Sequence, residues 1–173
     1  MKMYIGIDPG ASGFIAVMPQ GGEKSFFAVK GATLADIVGF LRPLKAQGEV
    51  FCCIEDVHAV FGSSAGATFA FGHICGVLEG VLAALAIPYQ KVPPKTWQNA
   101  VWTHDDKVFV SKERKVKGEI KTVSTVDPKK TSLKAAARLF PDVDFRRSAK
   151  CRDADDNKCD AMLICEYGRR MNL

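Results

Sequence analysis

Four acidic residues, Asp8, Glu55, Asp156 and Asp160, stand at positions where a carboxylate is costly or unusual. Asp8 and Glu55 each end a short apolar run of strand length, although Asp has a low strand propensity. Asp156 and Asp160 are four residues apart and therefore lie on one face of a helix. Asp160 also begins the apolar, core-facing part of that helix, where an acid without a cation is costly. The spacing predicts a site at which two strand ends and one helix bring carboxylates together.

The chemistry that suits such a set is divalent metal binding. Carboxylate oxygens are suitable ligands for Mg²⁺ or Mn²⁺, which accept few protein ligands and keep several waters. Two such ions roughly 3.5 to 4 Å apart can activate a water and stabilise the leaving oxygen in phosphodiester hydrolysis. Without metal, the like charges repel and raise one another's pKa values. We therefore predict Mg²⁺ as the cofactor, with Mn²⁺ able to substitute, and the four acids as catalytic residues and metal ligands.

Several residues compete for the fourth ligand position. Acids in a first helical turn, such as Asp153 and Asp155, are favoured by the helix dipole and need no other reason. Asp155 is five residues before Asp160 and points away from it, and Asp153 is two turns away. Asn157 is three before but is neutral. Asp156 satisfies both spacing and charge, and we take it as the fourth ligand.

Asp8 lies between two apolar strands within residues 5–17, at a turn containing Pro9-Gly10 and Gly13. Glycines and proline suit a tight turn, so the two strands are predicted to pair as a hairpin with Asp8 at its rim. A second interpretation is that Asp8 is only an Asx-type turn former ahead of Pro9. The other acids favour the first interpretation.

The elements that must hold these residues follow from periodicity. The nearly continuous apolar run 50–55 predicts a strand buried on both faces. In chain order the other predicted elements are a strand at 23–30, a helix capped by Thr33, a helix at 67–86, a strand at 87–92, a helix or turn at 95–102, a flexible hairpin or loop at 103–126, and helices at 132–139 and 153–170.

The apolar helix at 67–86 carries Gly72, Gly76 and Gly80 four residues apart. This spacing clears one helix face of side chains and allows close backbone approach. The face is predicted to pack either on the sheet of its own subunit or on a second subunit. We predict a homodimer formed in part through this helix.

Length and composition indicate one globular domain over residues 1–173. The chain is 47% hydrophobic and 25% charged, an ordinary globular composition. The most apolar run, 74–87, carries Glu79 and is short for a bilayer span, so no membrane partner is expected. The six cysteines form no Cys-x-x-Cys pair and are interpreted as reduced, mostly buried thiols. With no signal-peptide pattern, the expected location is the cytoplasm, or the host cytoplasm if a phage encodes the chain.

The net charge of +5 is unevenly distributed. Residues 103–152 contain fourteen Lys and Arg against seven Asp and Glu, which favours a polyanionic partner, nucleic acid first. A solvated surface loop is the alternative. The predicted DNA-binding residues are Lys95, Lys129, Lys130, Lys134, Arg146, Arg147, Lys150 and Lys158, of which Lys95 and Lys158 are expected nearest the acids.

Three stretches, IGIDPG at 5–10, IE at 54–55 and KCDAMLI at 158–164, resemble in order and spacing the RuvC-like Holliday junction resolvases. Stretches similar to FAFG at 69–72, VPPKTW at 92–97 and ARLFP at 137–141 occur in the phage and chloroplast branch of that family. The resemblance covers most of the chain and leaves a basic insertion at about 102–126.

The resemblance implies an α/β, RNase H-like fold: a mixed sheet whose first three strands are antiparallel, flanked by helices. It implies a homodimer that nicks two strands of a four-way DNA junction. By position, Asp8, Glu55 and Asp160 match the first, second and last acids of the family. Bacterial members place the remaining acid at the position of Asn157, whereas the phage and chloroplast type place a His or Asp at that of Asp156.

The leading functional hypothesis is therefore a Mg²⁺-dependent, structure-selective DNA endonuclease that resolves four-way junctions by paired nicks in recombination, repair and replication. A nuclease of the same fold acting on flaps, forks or packaging intermediates needs the same site. A junction-binding module without catalysis would not need four acids. An ATP-binding kinase or chaperone built on the Asp8 turn would need a second domain, for which 173 residues leave no room.

Overall fold

The computed structural model describes residues 2–57, 63–116 and 119–173. The strands are β1 (Lys2–Asp8), β2 (Phe14–Pro19), β3 (Ser25–Ala28), β4 (Glu49–Glu55), β5 (Tyr89–Val92), β6 (Phe109–Val116) and β7 (Glu119–Val126). The helices are α1 (Leu34–Gln47), α2 (Ala65–Ala84), α3 (Pro94–Val101), α4 (Pro128–Leu139) and α5 (Asp156–Arg170).

Five strands form one mixed sheet in the order β3-β2-β1-β4-β5. The first three strands are antiparallel neighbours, while β1 pairs with β4 and β4 with β5 in parallel. This arrangement confirms the fold class predicted from the sequence. Because β1 and β4 are parallel neighbours, their carboxyl ends meet at one sheet edge, where Asp8 and Glu55 are the last residues.

Side chains along the central strands point alternately to the two faces of the sheet, so the core consists of one cluster on each face. Ile5 and Ile7 contribute to a cluster with residues of α1 and α2. Tyr4 lies in the other cluster, which contains residues of α3, α4 and α5. In β4, Cys52 belongs to the first cluster and Cys53 to the second. The strand is therefore buried on both faces, as its apolar run predicts.

Gly6 sets how closely α5 approaches the sheet. A Cβ atom at this position would lie 2.5 Å from the backbone nitrogen of Cys165 and closer still to the carbonyl oxygen of Ala161. Both atoms belong to the backbone of α5, which cannot move aside locally. The absence of a side chain therefore lets the helix that carries Asp156 and Asp160 lie directly on β1.

Two helix starts differ from the prediction. α4 begins at Pro128, capped by Asp127, four residues before the predicted start, because proline at the first helical position is compatible with helix initiation. α5 begins at Asp156 rather than Asp153, and Asp155 is its N-cap. Asp153, predicted as the first residue of this helix, therefore lies outside it.

The segment 103–126, predicted as a flexible hairpin or loop, contains a separate two-stranded antiparallel sheet of β6 and β7. The stretch from Val57 to Gly66, whose glycines and serines predict a loop, includes residues 58–62, which lie outside the described residues. The cysteines are all free thiols, and Cys52, Cys53, Cys159 and Cys165 are buried.

α2 is apolar yet mostly exposed. By length and composition alone its 20 residues could cross a membrane, and only 17% of that stretch is buried. The helix starts nine residues before the apolar run 74–87, which was judged short for a bilayer span from the sequence. Its Leu78, Val81 and Leu82 are core residues of the domain. The three glycines have no other atom within 4 Å of where a Cβ would stand, so they are not used for packing on the sheet of this subunit.

Candidate active site

Asp8 is held at the sheet edge by the turn that follows it. Its Oδ1 accepts a hydrogen bond from the Gly10 nitrogen at 3.2 Å, and the Gly13 nitrogen donates to the Gly10 carbonyl at 2.7 Å. Gly13 is required here because a Cβ would collide with the Asp8 carbonyl oxygen. The residue is only 8% exposed, so this carboxyl is buried at the rim of the hairpin.

Glu55 extends from the neighbouring strand end and is oriented by a tryptophan. The Trp97 indole, fully buried on α3, donates through Nε1 to Glu55 Oε1 at 2.8 Å. One carboxylate oxygen is thereby fixed by a neutral donor that holds the side chain without cancelling its charge.

Asp156 and Asp160 approach from α5, and residues of α4 contact both. The Lys129 ammonium pairs with Asp156 Oδ2 at 2.7 Å. The Ser132 side chain hydrogen-bonds to Asp160 and lowers its pKa, although burial raises that pKa more strongly. Two residues of the basic segment therefore lie at the acids themselves.

The pKa shifts of Asp8 and Asp160 reflect burial and the charges of neighbouring acids. Burial, and then the charge of Glu55, raise the pKa of Asp8 to about 7, with Asp156 and Asp155 adding smaller effects and the Gly10 hydrogen bond opposing them. Burial also raises the pKa of Asp160, and Asp8, Glu55 and Asp156 add to the shift. The pKa of Glu55 is raised by burial despite the Trp97 hydrogen bond. Asp8, Glu55 and Asp160 are thus costly to ionise without a cation.

The donor set fits a hard divalent cation. Asp160 Oδ1 is buried and has no hydrogen-bond partner, an arrangement that is unfavourable unless a cation or water completes it. Within the described ranges, no group of three or more His, Cys, Asp or Glu side chains is already arranged to hold a metal ion. Lys129 already pairs with one oxygen of Asp156, and Trp97 with one oxygen of Glu55.

Asp155, next to the proposed ligand Asp156, has a structural function that the sequence analysis missed. Its Oδ1 accepts hydrogen bonds from the backbone nitrogens of Asn157 and Lys158 at 3.0 and 3.3 Å, which caps α5. Its Oδ2 pairs with Arg147 Nε at 2.5 Å, and Arg147 also donates to the Ser12 carbonyl at 2.7 Å. Arg147 therefore connects the turn after Asp8 to the start of α5.

The other predicted DNA-binding residues fall into two groups. Lys134, Arg146 and Lys158 make contacts within the protein: Lys134 donates to the Asp105 carbonyl, Arg146 pairs with Asp144, and Lys158 donates to the carbonyls of Asp144 and Arg146. Lys95, Lys130 and Lys150 are exposed and make no ion pair with another described side chain.

Sequence reasoning missed three residues that contact the acids directly: Trp97 at Glu55, Ser132 at Asp160, and Lys129 at Asp156. Trp97 is 42 residues from its partner. Residue spacing along the chain does not predict such contacts, because they arise from how α3 and α4 pack beside α5. Lys129 was predicted to contact DNA, and its pairing with Asp156 becomes apparent only from its position on α4.

Comparisons with known proteins rest on structure, since no family model and no curated protein matches the sequence. A structure of T. thermophilus RuvC in complex with a Holliday junction substrate has a TM-score of 0.58 and 10% identity, with 99% of this chain and 96% of that chain covered. A second Thermus thermophilus RuvC structure has a TM-score of 0.56 and 14% identity, with coverages of 98% and 96%. The chain therefore has the fold of RuvC, an RNase H-like mixed sheet flanked by helices.

Proposed function

We propose that this protein is a Mg²⁺-dependent, structure-selective DNA endonuclease that resolves four-way junctions by paired nicks. The observation that carries the proposal is the group of coupled carboxyls, Asp8, Glu55, Asp156 and Asp160, with an unpaired buried oxygen on Asp160. The fold adds support, because a RuvC of the same fold was solved with a Holliday junction substrate.

In this proposal the four carboxylates hold Mg²⁺, or Mn²⁺ in its place, and bound metal supplies the polarisation of a water and of the leaving oxygen. The chain's own residues position the ligands. Trp97 orients Glu55, and the Gly10 nitrogen orients Asp8. Lys129 pairs with Asp156 while no metal is bound. If Asp156 bound metal instead, the Lys129 ammonium would be free to pair with a DNA phosphate.

DNA affinity would come chiefly from cations on the α4 and α5 side of the sheet. Lys95, Lys130 and Lys150 are exposed and can contact phosphates directly. Arg146, Arg147, Lys134 and Lys158 already hold loops near the acids, so we propose that they contribute positive potential as well as structure. Two copies of this site are needed for paired nicks, which supports a homodimer. We propose the cytoplasm as its location.

The test is cleavage of a labelled synthetic four-way junction in Mg²⁺, beside duplex, flap and fork controls. We expect Asp8→Asn, Glu55→Gln and Asp160→Asn each to abolish nicking while junction binding survives, because phosphate contacts supply most of the affinity. Near wild-type nicking by any of these variants would remove that residue from the ligand set. Preference for flaps or forks would favour the related nuclease, and binding without any metal-dependent nicking would favour a junction-binding module.

A further inference from the structure

The β6–β7 ribbon, formed by Phe109–Val116 and Glu119–Val126, is a sheet separate from the five-stranded one. Its two strands pack chiefly against each other over eight paired positions. Phe109 is 55% exposed and Ile120 is 71% exposed. The ribbon therefore has little core of its own, and large apolar side chains lie on its surface.

The ribbon region also carries most of the protein's excess charge. Residues 107–126 contain six Lys and Arg against two Glu, while the whole chain has a net charge of +5. Among the ribbon-region cations whose side chains the structure describes, Lys107 and Lys112 are both exposed. Lysines on exposed strands also discourage edge-to-edge aggregation, so charge alone does not decide the ribbon's function.

The base of the ribbon is rigidly attached to α4. Asp106 is 1% exposed and accepts hydrogen bonds from Arg138 Nε and Nη2 at 2.9 and 2.7 Å and from the Thr103 nitrogen at 2.7 Å. The Val108 nitrogen donates to Thr131 Oγ1 at 3.1 Å. A solvated loop kept only for solubility would not need a buried carboxylate paired with an arginine at its base.

α4 joins this base to the acids. Thr131 and Arg138 hold the ribbon, while Lys129 and Ser132 of the same helix reach Asp156 and Asp160. One twelve-residue helix thus fixes the direction of the ribbon relative to the candidate active site.

We propose that the ribbon is a DNA-binding arm that lies against one duplex arm of the substrate, away from the cleaved phosphate. This inference rests on the proposed function. Eight residues of strand extend about 26 Å, which corresponds to roughly 8 base pairs. A two-stranded ribbon fits the width of the major groove, and the exposed lysines such as Lys107 and Lys112 would pair with phosphates.

The test is excision of the ribbon and measurement of metal-free binding by fluorescence anisotropy. The Asp127 nitrogen donates to the Val108 carbonyl at 2.7 Å, so Asn-Gly can replace residues 109–126 between them as a two-residue turn. We use four-way junctions with arms of about 6 and about 20 base pairs. The full chain should bind the long-armed junction at least tenfold more tightly, and the excised variant should bind both alike.

A charge variant that keeps the ribbon tests the proposal even if the excised chain fails to fold. Lys107→Gln with Lys112→Gln should lower the salt slope of binding by up to about two phosphate-equivalents, whereas the matched control Lys30→Gln with Lys45→Gln should leave it unchanged. The arm proposal is wrong if junctions bind but neither arm-length preference nor salt slope changes. It is also wrong if excision converts a sedimenting dimer into a monomer, since the ribbon would then be a subunit contact. Absence of junction binding by the full chain would instead contradict the proposed function.

Discussion

The acids of the candidate site differ in what surrounds them, and this difference predicts different mutational effects. Asp8 and the Oδ1 atom of Asp160 are buried, whereas Asp156 is partly exposed and paired with Lys129. A ligand that remains accessible to water is the one whose loss a higher metal concentration can best offset. The four carboxylates are therefore not interchangeable.

Asp156→Asn should reduce junction nicking severely, and raised Mg²⁺ or substituted Mn²⁺ should partly restore it. Asn keeps one oxygen ligand but loses the charge that binds the cation and holds Lys129. Asp153→Asn is the matched control, because Asp153 is exposed and lies before the helix, and it should leave the rate nearly intact. Single-turnover nicking across a metal titration measures both. A full loss in Asp153→Asn with an active Asp156→Asn would reverse our assignment.

Asp155 lies beside this site. Its substitution tests whether the contact with Arg147 contributes to stability beyond the helix-dipole effect. Asp155→Asn retains an oxygen for the N-cap but loses the ion pair to Arg147. We expect a lower free energy of unfolding, by about 1 kcal/mol, and slower nicking because the turn after Asp8 loses its connection to α5. Urea unfolding and nicking rates, compared with Asp153→Asn, check this. Equal stability of the two variants would show that the Arg147 contact contributes little.

The raised pKa of Asp8 predicts a pH-dependent stability of the metal-free protein. Its carboxyl ionises near pH 4 when unfolded and near 7 when folded, so the native state holds a proton that the unfolded chain has released between these values. Stability falls as pH rises through this window and stays lower above it. Asp8→Asn should therefore be more stable than wild type at pH 8, by up to about 4 kcal/mol, with little difference at pH 4. Urea unfolding at the two pH values, with EDTA present, measures this. A constant difference would contradict it.

At the scale of elements, the close approach of α5 to β1 decides where Asp156 and Asp160 stand. Gly6→Ala places a methyl group against the backbone of α5 and should destabilise the fold by about 3 kcal/mol and reduce nicking, because the helix must shift. Gly39→Ala is the control, since nothing lies within 4 Å of its Cβ position, and it should stabilise α1 by up to about 1 kcal/mol. Thermal unfolding of both variants tests this. An unchanged melting temperature in Gly6→Ala would show that α5 can shift away from β1 without loss of stability.

The elements that the sequence predicts well are those with a buried face. β1 and β4 end at Asp8 and Glu55 as predicted, because each apolar run ends at the edge of the sheet. The periodicity of 103–126 is weak, and where the structure describes the side chains of β6 and β7 none of them is fully buried, so burial imposes little alternation. The start of α4 was missed although Asp127-Pro128 is an N-cap followed by proline, a local signal that was present. The contacts of Trp97 and Ser132 depend on tertiary packing and have no such signal.

At the scale of the whole molecule, α2 presents an apolar surface that has no partner in the described chain. Phe69 is 77% exposed, and Leu34 of α1 is 58% exposed. Between α1 and α2 runs an apolar groove of about 400 Å³, lined in part by Val38, Gly76 and Gly80. Exposed apolar surface of this kind is characteristic of an interaction site. A symmetric contact would place two candidate active sites on one junction.

We therefore predict that Gly76→Glu converts a dimer into a monomer without unfolding it. The position has no neighbour within 4 Å, so the side chain fits the free subunit, but a carboxylate buried in an apolar contact is costly. Wild type should sediment at twice the 18.8 kDa chain mass, and the variant at once that mass with an unchanged circular dichroism spectrum. Gly39→Glu, on an exposed position of α1, is the matched control and should remain dimeric. On a four-way junction held in a supercoiled plasmid, the monomer should give single nicks where the dimer gives paired nicks and a linear product. A wild-type protein that sediments as a monomer both free and on DNA would remove the interface, and paired nicking by Gly76→Glu would place the subunit contact elsewhere on the molecule.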